Sequence, residues 1–208
     1  MNNSKYINIA LLFAQLIVMF LLVIKTSSSL REFSDEIVSL SSSINFWFNG
    51  FDFRAGSSSQ YSSYSPKLTS GPISAIGSTI AWKFSNNLIF LRVSNFLYIY
   101  IVQIIYCYFL SKVYKFRLVK LILICSFAIT SVPWWYGTLY SLGEMLSSII
   151  FFNSIFLFRF YRRSSLMMMG FSIFFGKFIF VIGFIGFYIS VLILEKISPK
   201  IIKDSLYF

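Results

Sequence analysis

The sequence has no histidine, only two cysteines, and only seven acidic residues in 208 positions. Without imidazole, His-based acid–base catalysis and His-ligated metal sites are excluded. Cys107 and Cys125 both lie inside apolar stretches. There they read as core- or lipid-facing thiols rather than as a disulfide or a metal pair. Charge of either sign is scarce: 12% of residues are charged, against about 25% in an ordinary soluble domain. That is too little polarity to coat a water-facing surface. It excludes a soluble enzyme, a disordered tail and a disulfide-stapled secreted domain.

What is present is apolar. Hydrophobic residues make up 57% and aromatics 21% of the chain, and the mean hydropathy is +0.76. The expectation is an all-α, polytopic integral membrane protein with five or six transmembrane helices, residues 1–208 forming a single membrane domain. Lys and Arg number 18 against seven Asp and Glu, a formal net of +11. In an apolar chain this excess reads as the basic bias of cytoplasmic loops, not as a nucleic-acid surface.

A span needs about 20 apolar residues. Candidates are 7–24, 88–110, 118–136 and 139–158, followed by a longer apolar run, 166–194. The first has no A-x-A-like cleavage site after it, so it reads as a retained span. The link after the second span carries Lys112, Lys115, Arg117 and Lys120; the link after the fourth carries Arg159, Arg162 and Arg163. The link near Pro133–Gly137 carries no charge but holds Trp134, Trp135 and Tyr136. Basic links favour the cytoplasm and aromatic rings the headgroup layer. This places the amino terminus inside and makes 25–87 one long outer loop, periplasmic or extracellular, of a protein in a bacterial inner (plasma) membrane. The tail carries Lys196, Lys200 and Lys203, which prefer the inside. The run 166–194 then fits a hairpin of two short helices turning near Gly176–Lys177 better than one long helix. Lys177 at mid-membrane would cost about 2.5–3.5 kcal/mol unless it meets a polar cavity.

The outer loop holds four of the seven acids, Glu32, Asp35, Glu36 and Asp52. Ile37, Leu40, Ile44, Trp47 and Phe48 recur at helical spacing, after Ser34 as an N-cap and before Gly50 as a stop. This predicts an amphipathic helix over 35–49, lying flat on the outer leaflet with its serine face away from the lipid. A second helix is expected over 72–84, opened by Pro72, with Ile73, Ile76, Ile80 and Phe84 on one face and the small residues Ser74, Gly77, Ser78 and Ala81 on the other. Two carboxylates in a first helical turn also have a purely structural use, offsetting the helix dipole by about 0.3–1 kcal/mol.

The run Ser34-Asp35-Glu36, then Asn49-Gly50-Phe51-Asp52-Phe53 and Thr69-Ser70-Gly71-Pro72, resembles the first outer loop of the GT-C membrane glycosyltransferases. Within that class the likeness is to the protein mannosyltransferase and aminoarabinose transferase type. Arg92 with Asn95 resembles the family's arginine at the outer start of the second span. Leu142-Gly143-Glu144 resembles its Leu-Gly-Glu at the fourth, and Gly176-Lys177 a looser pattern in a later helix. The likeness covers an N-terminal module of such an enzyme.

The resemblance implies sugar transfer, with inversion, from a polyprenyl-phosphate-linked sugar to a glycan, lipid or protein acceptor on the non-cytoplasmic face. It implies Asp35 as the general base, with Glu36 beside it, and Arg92, Glu144, Asp52 and Lys177 on the substrate. No cofactor follows from it, and a divalent metal is compatible with it without being implied. A general base must come within about 2.6–3.2 Å of the acceptor hydroxyl, and a flat interfacial helix would hold a carboxylate at headgroup depth. Glu144 lies about five residues inside its span, where a carboxylate is a functional candidate by default; its structural alternatives are an ion pair with Arg92 and a protonated, hydrogen-bonded glutamate. The rival functions are a non-catalytic membrane subunit, with a second subunit completing the fold, and a small transporter or flippase. A transporter would more often carry an internal repeat, and the sequence has none.

Overall fold

The computed structural model describes residues 3–30, 34–50, 73, 75–129, 144–176 and 180–197. Among these the fold is all-helical. The helices are α1 (Asn3–Ser29), α2 (Ser34–Phe48), α3 (Ile76–Trp82), α4 (Leu88–Tyr114), α5 (Leu118–Ile129), α6 (Glu144–Leu157), α7 (Arg162–Phe171), which runs on into a π-helical turn at Ser172–Gly176, and α8 (Phe180–Ile197). Two of them are long and apolar enough to cross a membrane: α1, over Ile9–Ser29, and α4 over its whole length.

The other helices gather around α4. Its first turn is capped by Asn87, whose side-chain oxygen accepts from the Ile89 and Phe90 amides at 2.9 and 3.3 Å, satisfying donors that an uncapped helix leaves orphaned. At the other end Lys115 takes a left-handed conformation, φ 57°, and turns the chain toward α5. Helix α1 runs antiparallel to α4, with Met19 and Val23 in one cluster with Phe96 and Tyr100. Helix α5 is antiparallel too, the Tyr100 and Ser126 hydroxyls bonding at 2.8 Å. Helix α6 runs parallel to α4: Ile99 clusters with Leu146 and Ile149, and Tyr114 donates to the Phe156 carbonyl at 2.7 Å.

Within 166–194 the described residues belong to α7 with its π-helical turn, up to Gly176, and to α8 from Phe180; residues 177–179, Lys177 among them, lie outside the described residues. Helix α7 climbs back along α6 until Gly176 meets Ser147. Helix α8 then descends along α6, with ring contacts Phe151–Phe180 at 5.2 Å and Phe158–Phe187 at 5.1 Å. The two pieces thus run in opposite directions along α6.

Helix α3 differs from its sequence reading in extent and in packing. It covers Ile76–Trp82 rather than 72–84, and Pro72 lies outside the described residues. Its buried side is the small one, Gly77, Ser78, Thr79 and Ala81, while Phe84 is 80% exposed. The reason is a close crossing with α4. A methyl on Gly77 would stand 2.7 Å from the Asn95 Cα and 2.8 Å from the Ser94 carbonyl oxygen. Ser78 adds a bond to the Leu91 carbonyl at 2.9 Å. Because the obstacle is backbone, Gly77→Val should force the two helices apart. Overpacking of this kind costs roughly 1–3 kcal/mol, to be read as a lower melting temperature in detergent.

Polar side chains, Arg92, Asn95, Gln103, Ser126, Ser147 and Asn153, are buried beside the apolar clusters, while Phe13, Ile17, Phe174 and Ile182 are exposed.

Candidate functional site

Helix α2 occupies nearly the predicted span, and Gly50 follows it with φ +80°, a conformation that favours glycine. Which side faces the protein differs from expectation. Glu36, Ser39, Ser42, Ser43 and Asn45 are buried, and Trp47 is exposed. The serine face is thus covered by protein instead of facing outward. The Ser43 hydroxyl meets that of Thr79 on α3 at 2.8 Å. At the far end Phe48 stacks on Trp82, and the Lys83 ammonium lies 4.0 Å from the Phe48 ring centre, a favourable cation–π arrangement.

At the start of α2 the chain makes its strongest polar contact. Glu36 and Arg92 are both buried, at 3% and 0% exposure. They join in a two-pronged ion pair: Arg92 Nε donates to Glu36 Oε1 at 3.0 Å and Nη2 to Oε2 at 2.8 Å. Planar forks of this kind are the strong form of charge-assisted hydrogen bond. The same guanidinium donates through Nη1 to the Ser27 and Leu30 carbonyls, both at 3.0 Å. Those carbonyls lie at the C-terminal end of α1, where a helix leaves acceptors unpaired and carries partial negative charge. One side chain from α4 therefore ties the end of α1 to the beginning of α2.

The six sequence candidates fall as follows. Glu36 and Arg92 come together. Asp35 is the residue before Glu36 in the first turn of α2, and Glu144 opens α6; their side chains lie outside the described ones. Asp52 and Lys177 lie outside the described residues. Arg92 pairs with Glu36, 56 positions away in sequence; the ion pair considered for Arg92 with Glu144 involves a side chain outside the described ones. Among the described residues no cluster of three or more metal-binding side chains occurs.

A second polar knot was not foreseen. Asn153 Nδ2 on α6 donates to the Gln103 side-chain oxygen Oε1 at 3.2 Å and to the Ile149 backbone carbonyl at 2.7 Å. The Gln103 amide lies 3.3 Å from Cys125 Sγ and 3.5 Å from Cys107 Sγ. Both cysteines are free. The knot joins α4, α5 and α6 beside a cavity of about 180 Å³. The available signal was two amide side chains, Gln103 and Asn153, inside otherwise apolar segments, which seek each other where water is absent.

No family model, curated protein or solved structure matches this chain.

Proposed function

We propose that the chain is a polytopic membrane protein of five or six spans and forms the N-terminal module of a GT-C-type glycosyltransferase. It transfers a sugar from a polyprenyl-phosphate donor to an acceptor outside the cytoplasm. The observation that carries the reading is the Arg92 junction. It joins α1, long and apolar enough to span a membrane, to a short helix whose first turn holds Asp35 and Glu36. Exposed apolar side chains, with polar groups such as Arg92, Asn95, Gln103 and Asn153 buried inside, support the bilayer setting.

In this proposal the two acids divide the work. Glu36 is committed to Arg92, so Asp35 acts as the base, taking the acceptor proton as the acceptor oxygen attacks the anomeric carbon and the polyprenyl phosphate departs. Arg92 is then a positioning residue, its guanidinium directed to Glu36 and to α1. Asp52, Glu144 and Lys177 remain as substrate-facing proposals. The test is transfer from undecaprenyl-phosphate-linked radiolabelled hexose by the full chain in nanodiscs. Donor-dependent labelling of an acceptor is expected.

A second reading, a non-catalytic membrane subunit, is favoured by the completeness of the Glu36–Arg92 pair, which serves structure without any substrate. On that reading the chain releases no polyprenyl phosphate and co-purifies with a second membrane protein.

The topology has its own prediction. With Cys107 and Cys125 replaced by alanine, a cysteine at Ser58 should react with an impermeant maleimide on intact cells, and one at Ser164 should react only after lysis. Labelling of Ser164 but not Ser58 on intact cells would reverse the proposed orientation.

A further inference from the structure

A groove of about 430 Å³ lies between α4, α6 and α7, away from the Arg92 junction. Its long wall is the α4 stripe Tyr98, Val102, Ile105 and Phe109. At 1.5 Å per residue the step from Tyr98 to Phe109 covers about 16 Å, close to one leaflet of a hydrocarbon core about 30 Å thick. Ile105, Phe109, Met168 and Phe171 are exposed along it, so the groove opens sideways. Within it Tyr106 is buried, and its hydroxyl stands near Ser154 without closing a hydrogen bond among the described residues.

One end of the groove is lined by Tyr161 and Ser164, on the link that carries the exposed Arg159, Arg162 and Arg163; the Arg162 guanidinium lies 5.4 Å from the Phe158 ring centre. Arg162 and Arg163 open α7, where the helix dipole adds partial positive charge. An apolar channel about one leaflet long, whose end lies on a basic link, suits a lipid with an anionic head.

We propose that this groove holds an acyl chain of an anionic glycerophospholipid, with its phosphate at Arg162, Arg163 and the first turn of α7. The inference rests on the chain lying in a bilayer and not on sugar transfer. A zwitterionic lipid would fill the groove without matching the arginines. A second copy of the chain would bring its own basic links to the same surface.

Native mass spectrometry of the purified full chain tests this, with phosphatidylglycerol and phosphatidylcholine of identical acyl chains as probes. The parent protein should retain phosphatidylglycerol at least about tenfold better, as expected for two basic side chains at a membrane surface. Arg162→Gln with Arg163→Gln should erase that difference. Ile105→Trp, at an exposed wall position, should lower phosphatidylglycerol retention about tenfold with an unchanged melting temperature. Equal retention of the two lipids by the parent would overturn the proposal. So would undiminished retention by Ile105→Trp, or a parent dimer that Ile105→Trp dissociates, which would make a second copy the occupant.

Discussion

Arg92→Met should deplete the folded protein, lowering stability by roughly 3–5 kcal/mol, the usual cost of stripping one partner from a buried ion pair. The loss is double. Glu36 keeps a buried carboxylate with no fork to receive it, and the Ser27 and Leu30 carbonyls lose their donor. Glu36→Leu should cost a similar amount, because it leaves the guanidinium with α1 alone among these partners. The double variant should be milder than the sum of the two, since replacing both members by apolar groups removes the uncompensated charge. Arg92→Lys should recover little, because an ammonium cannot present two parallel N–H groups to a carboxylate. Fluorescence-detected size exclusion after graded heating reads all four. If Arg92→Met melted like the parent, the junction would not be what holds α1, α2 and α4 together.

Much of the helical framework was legible because it depends on local pattern. The limits of α2 follow from Ser34 and Gly50, and α1 and α4 from the length of their apolar runs. The misreading of α2 is instructive. Periodicity shows that a helix has two faces, but the side covered by protein depends on whether the surroundings are water or lipid. Here Ser39, Ser42 and Ser43 are buried, and Thr79 on α3 offers Ser43 a polar partner. The small side of α3 was visible as Gly77, Ser78 and Ala81, yet its role as a close-crossing surface depends on α4. Arg92 was legible as a candidate, whereas its partner was not. The pairing spans 56 residues and needs the end of α1, the start of α2 and α4 to meet in three dimensions. Gln103 and Asn153 could have been flagged as amides in apolar segments, but no spacing rule joins α4 to α6.

The second large effect expected is chemical. Asp35→Asn should reduce sugar transfer by about 10²–10⁴-fold, the range that a positioned general base contributes, while melting temperature stays near that of the parent. Asparagine keeps the shape and the helix-opening tendency of aspartate but cannot accept the acceptor proton. Glu36→Gln should give the opposite profile, with the fold weakened and the transfer rate per folded molecule far less affected, because Glu36 acts by holding Arg92.

The direct measurement is the rate of hexose transfer from an undecaprenyl-phosphate donor, per mole of folded protein in nanodiscs, for the parent, Asp35→Asn and Glu36→Gln side by side. The account predicts transfer by the parent, near-complete loss in Asp35→Asn at unchanged stability, and substantial transfer in whatever Glu36→Gln remains folded. Transfer by Asp35→Asn at the parent rate would contradict the assignment of the base. No donor-dependent transfer by the parent under these conditions would contradict the proposed enzyme itself.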